Sequence, residues 1–72
     1  MKNILIIGAG NMGEAMLRGW IKDRSTLNQF YVREPNPSEW LKEMDYKNRL
    51  RLNPLYIKCK IDVCVFAIKP QL

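Results

Sequence analysis

Histidine is absent from this chain, and cysteine occurs only as Cys59 and Cys64. Two thiols without an imidazole do not make a zinc site, and they give no disulfide framework. The expected setting is therefore reducing and cytoplasmic. Long hydrophobic runs are also missing: nothing approaches the roughly 20 apolar residues that span a bilayer. The start, Met1-Lys2-Asn3-Ile4, carries one positive side chain before an apolar stretch. That stretch runs straight into glycines and a charged helical segment, so a secretory signal is not expected there. Nor is there a block of like charge. The net charge is +5, but Lys42, Lys47, Arg49, Arg51, Lys58 and Lys60 are scattered and read as solvated surface. With no basic stripe, a nucleic-acid partner is not expected, whereas a phosphate-rich cofactor suits a positive field. No internal repeat, linker or low-complexity segment occurs.

What is present is enough for one small domain. The chain has 72 residues, of which 47% are hydrophobic. That composition excludes disorder and supports a real core. A domain of this size buries only about 60% of the surface its unfolded chain exposes, so its stability is marginal.

Residues 3–7, "NILII", form a continuous apolar run of the kind buried on both faces of a parallel sheet. Residues 11–23 follow with Met12, Ala15, Met16, Gly19 and Trp20 at helical spacing, and "DRSTLN" closes as a loop. Residues 29–33, "QFYVR", have the aromatic and β-branched content of a strand. In "EPNPSEWLKEM", Asn36 suits an N-cap, Pro37 the first helical position and Glu39 the third. Trp40, Leu41 and Met44 would be the buried stripe of that helix. "LRLN", residues 50–53, is a third strand, and Pro54 can open a short helical turn. "DVCVFAI", residues 62–68, is the strongest strand signal, with Cys64 read as a small buried hydrophobe. Lys69-Pro70 ends it. The alternation implies an α/β fold: a Rossmann-like parallel sheet of about four strands with flanking helices. The expected order places the first strand centrally, the second and third on one side and the fourth on the other.

In that setting the stretch "GAGNMG", residues 8–13, acquires a purpose. It follows a strand and opens a helix, the context that distinguishes a dinucleotide fingerprint from a plain turn. Gly8 permits the tight turn, Gly10 lets a pyrophosphate approach the backbone, and Gly13 lets the helix pack close to the sheet. The first N–H groups of the helix, near Asn11 and Met12, then face the anion. The alternative is a ligand-free strand-to-helix turn. For the cofactor, an acidic residue about 20 positions after the glycines favours the ribose hydroxyls of NAD, while a basic set accommodates the NADP phosphate. Arg33 and Glu34 offer both, with Asn36 and Ser38 beyond. Arg33 can pair with a 2′-phosphate bidentately, and Glu34 would repel it if turned inward. NADP(H) is the preferred reading and NAD(H) the open alternative.

"IIGAGNMGEAMLRGWI", "VREPNPSEWL" and "DVCVFAIKPQ" together resemble pyrroline-5-carboxylate reductase, over nearly the whole chain. The combination of the glycine motif with a strand ending in Ala67-Ile68-Lys69-Pro70 is its most specific part. The glycine motif alone is shared with 6-phosphogluconate dehydrogenase-like and imine-reductase-like enzymes. The resemblance implies NAD(P)H-dependent reduction of 1-pyrroline-5-carboxylate to proline, the last step of proline biosynthesis. It implies that Gly8, Ala9, Gly10, Asn11, Met12 and Gly13 hold the pyrophosphate. It further implies that the segment from Arg33 through Asn36 to Ser38 meets the adenosine 2′-phosphate. Asn53 would lie near the adenine ribose, and Ala67, Ile68, Lys69 and Pro70 near the nicotinamide half. The chain has Pro35 where family members often carry an arginine, which leaves Arg33 as the stand-in.

Family enzymes continue past this point with the rest of the nucleotide domain and a helical domain that pairs subunits and holds substrate. Residues 1–72 thus read as an N-terminal portion of a dinucleotide-binding domain, incomplete relative to the full family fold. No catalytic residue is assigned, and the chain by itself is expected to be inactive. A related reductase with another substrate, or a non-enzymatic nucleotide- or protein-binding module, is the alternative. Without a fifth strand, residues 62–68 would form an exposed apolar edge through which the isolated chain self-associates.

Overall fold

The computed structural model describes residues 2–23 and 28–68. Its elements run β1 (Asn3–Ile7), α1 (Asn11–Lys22), β2 (Gln29–Arg33), α2 (Glu39–Tyr46), β3 (Arg51–Leu52) and β4 (Val63–Phe66). The strands form one parallel sheet in the order β3-β2-β1-β4. This is the Rossmann-like α/β arrangement that the alternating pattern implies, with β1 central.

Register explains where the core forms. Ile4 pairs with Phe30, Ile6 with Val32 and Val65, and Val32 with Leu52, so these side chains share one face. Both helices pack there: Leu17 and Leu41 are fully buried in the same cluster as Ile6 and Val32. Burying a side chain of this size contributes about 1.5–3 kcal/mol. Helix α1 is also tied to the sheet and to α2 on that face. Trp20 of α1 stacks on Phe30 at 6.0 Å between ring centroids, and the Arg18 guanidinium lies 4.5 Å over the Trp40 ring of α2. Arg18 in turn pairs with Glu14 at 2.7 Å, one helical turn back.

Several local expectations are corrected. β1 is not buried on both faces; its residues alternate, with Ile4 and Ile6 buried and Asn3, Leu5 and Ile7 half-buried. Both helices lie on one face, so the other has no helical cover. The buried residues of α1 are Gly13 and Leu17, with Ile21 packed on the core. Met12, Ala15 and Gly19 are exposed instead. The seam at i, i+4, i+8 wins because Gly13 brings that face against the sheet.

The cap of α2 is Ser38, whose Oγ accepts from the Leu41 N–H at 3.2 Å. Asn36 does not cap; its backbone N–H is held by the Glu34 carboxylate, which keeps it in the preceding loop. No helical turn forms after Pro54: residues 53–62 are irregular. They cross the helix-free face, where the Cys59 thiol donates to the Tyr31 hydroxyl at 3.2 Å. That hydroxyl donates to Gln29 Oε1 at 2.9 Å. The Cys59 contact, then burial, hold the Tyr31 phenol above its ordinary pKa of 10.0. Cys64 is exposed rather than buried, because it projects from the edge strand β4.

Candidate functional site

The carboxyl ends of all four strands border one open cleft of about 980 Å³. Ile7 and Gly8 come from β1, Arg33 and Glu34 from β2, Asn53 from β3, and Phe66, Ala67 and Ile68 from β4. Its floor is the turn between β1 and α1, where the strand order reverses. In an open α/β sheet this switch point is where ligands bind.

Each glycine of the turn meets a different constraint. Gly8 has φ +83°, in the left-handed region, and a Cβ there would lie 2.6 Å from Ile68 Cγ1. Its N–H donates to the Arg33 carbonyl at 2.8 Å, which joins the ends of β1 and β2. Gly13 faces the Gly8 carbonyl, 2.9 Å from an ideal Cβ, and Ala67 Cβ at 3.2 Å. It is the close-packing glycine. Gly10, the residue before α1, has nothing within 4 Å of an added Cβ. Packing does not demand a glycine at that position; without a side chain there, the backbone at the start of α1 lies open to the cleft.

The first helical bond runs from the Glu14 N–H to the Gly10 carbonyl at 2.8 Å. The N–H groups of Asn11, Met12 and Gly13 therefore precede the ladder and point out of the positive end of α1. Asn11 and Met12 line the cleft, Met12 with 72% of its surface exposed.

A second set of bonds closes the β2 and β3 side. Asn53, at φ +48°, accepts from the Glu34 N–H and donates to the Glu34 carbonyl, both at 2.8 Å. The clamp presents the Glu34 side chain to the glycine turn, where Oε1 accepts from the Ala9 N–H at 2.8 Å. Arg33 is exposed and makes no ion pair among the described residues.

The structure therefore brings Gly8, Gly10, Asn11, Met12, Arg33, Asn53, Ala67 and Ile68 to one cleft. Ala9 and Gly13 are buried beneath it. Asn36 is exposed in the neighbouring loop, off the cleft wall. Lys69 and Pro70 lie outside the described residues. Glu34 and Pro35, within the segment Arg33 to Ser38 that the resemblance assigned to the adenosine phosphate, also line the wall, and Phe66 joins them without having been singled out as a site residue. Glu34 carried a usable signal in its spacing from the glycines; Phe66 carried none, because its exposure depends on the sheet edge. Among the described residues no cluster of His, Cys, Asp and Glu could hold a metal. Among them, too, no helix is long and apolar enough to cross a membrane.

A glycine turn at the switch point of a parallel sheet, opening into a cleft at the strand ends, is the architecture of a Rossmann-type domain. The family model described as NADP oxidoreductase, coenzyme F420-dependent, matches residues 3–72. The chain belongs to that family, and its cofactor is a nicotinamide dinucleotide. No curated protein and no solved structure matches it.

Proposed function

We propose that residues 1–72 are the N-terminal portion of the NAD(P)-binding domain of a pyrroline-5-carboxylate reductase. Such an enzyme reduces 1-pyrroline-5-carboxylate to proline, the cofactor supplying a hydride to the imine carbon. The open space at Gly10 carries the cofactor part of this reading: the position is free of protein and sits at the positive end of α1. In it, the backbone of residues 8–13 holds the pyrophosphate, with the N–H groups of Asn11 and Met12 as donors. Arg33 and Asn53 border the adenosine half, with Asn36 in the adjoining loop. Ala67 and Ile68, with Lys69 and Pro70 after them, border the nicotinamide half. The role of these residues is to position the cofactor and screen one side of it from water. In this reading the substrate site belongs to the family's helical domain.

The test is a titration of the chain with NADH and NADPH, read through Trp20 and Trp40 fluorescence, beside Gly10→Val. Saturable binding of either cofactor is expected. The variant should lose it while remaining folded, since a Cβ at position 10 meets no protein atom within 4 Å. Absence of binding at millimolar concentration overturns the proposal. The substrate is tested on the protein in which this domain is joined to its helical domain. There, 1-pyrroline-5-carboxylate should drive NAD(P)H consumption.

A further inference from the structure

We propose that Glu34 acts as a built-in anion that selects NAD(H) over NADP(H). This rests on the dinucleotide reading above and runs against the NADP preference that Arg33 suggested.

Both oxygens of the Glu34 carboxylate are engaged by backbone donors. Oε1 accepts from the Ala9 N–H at 2.8 Å, inside the glycine turn. Oε2 accepts from the Asn36 N–H at 3.0 Å, in the loop after β2. The backbone of the same residue is clamped on both its N–H and its carbonyl by the Asn53 side chain. Position 34 immediately follows β2, the strand end beside which the adenosine ribose lies in a fold of this type. A negative charge is thus held in the wall of the cleft where a 2′-phosphate would arrive.

Two effects then act in one direction. The carboxylate repels the phosphate, and it already occupies the Asn36 N–H, a donor of the kind a phosphate needs. Ribose hydroxyls face neither difficulty, because a carboxylate oxygen has lone pairs left to accept from them. Arg33 is the opposing group. It is exposed and unpaired among the described residues, so its charge is screened by solvent and salt. Glu34 is placed at the wall by its bonds to both loops, whereas no ion pair among the described residues holds Arg33 there.

The experiment titrates the full chain and Glu34→Gln with NADH and NADPH at low and high salt. Glutamine keeps an acceptor for the Ala9 N–H and removes the charge. The unchanged chain should bind NADH about tenfold more tightly than NADPH at low salt, a gap that narrows as salt rises. Glu34→Gln should close the gap by tightening NADPH, and adding Arg33→Ala should loosen NADPH again. Equal or tighter NADPH binding by the unchanged chain overturns the inference. So does an unaltered ratio in a folded Glu34→Gln. Where that variant does not fold, the unchanged chain's ratio and its salt dependence decide alone. Failure of both cofactors to bind overturns the dinucleotide reading instead.

Discussion

Among the described residues, the buried hydrophobic ones all lie between Ile4 and Leu50, and residues 53–68 contribute none. Yet the second region holds the most apolar strand pattern of the chain, Val63–Phe66, three of whose residues are exposed. The difference lies in the connections. The crossovers from β1 to β2 and from β2 to β3 each carry a helix, and each delivers a fully buried leucine to the sheet, Leu17 and Leu41. The connection from β3 to β4 carries no helix, and Leu55 within it is 95% exposed. Strand hydropathy thus measures what a strand can bury. What it does bury is decided by the element packed on it. β4 keeps Phe66 and Val63 exposed at the sheet's edge, an unpaired edge open to further strand pairing.

The comparison can be broken experimentally. The largest effect is expected from Leu41→Ala, which empties a fully buried site in the first region. It should cost about 2–5 kcal/mol. In a domain of marginal stability, urea denaturation followed by circular dichroism should find it largely unfolded.

Gly8→Ala probes the joint between the two regions, since Ile68 of the second lies directly over Gly8 of the first. Left-handed strain and the contact with Ile68 together should cost about 2–4 kcal/mol. Combining it with Ile68→Ala should recover only the contact's share, leaving the backbone strain. Full recovery in the double variant would show that φ at Gly8 imposes no cost.

The smallest effect belongs to Leu55→Ala. It should shift stability by less than about 0.5 kcal/mol, as exposed substitutions do. A loss comparable with that of Leu41→Ala would mean that residues 53–62 are packed in solution, and the contrast between the regions would collapse.

Much of the fold was legible locally. The bounds of β1 and β2 follow from their apolar and β-branched runs, and the strand order follows from the alternation of elements. The glycine turn was legible because its spacing is a requirement of backbone geometry. Which face of α1 is buried was not. The stripe through Met12 and Met16 is as apolar as the seam through Gly13, Leu17 and Ile21, and only contact with the sheet separates them. Ser38 and Asn36 are both good N-caps, and the choice was made by the carboxylate of Glu34, which holds Asn36 back.

The site divides in the same way. Sequence alone determined that residues 8–13 form a turn from strand to helix, because glycine spacing and hydrophobic period act over a few neighbours. It did not determine where Glu34 points. That depends on an N–H at Ala9, 25 residues away, and on the side chain of Asn53, 19 residues in the other direction. Parallel pairing brings those groups together, so only the tertiary structure could turn the carboxylate into the cleft.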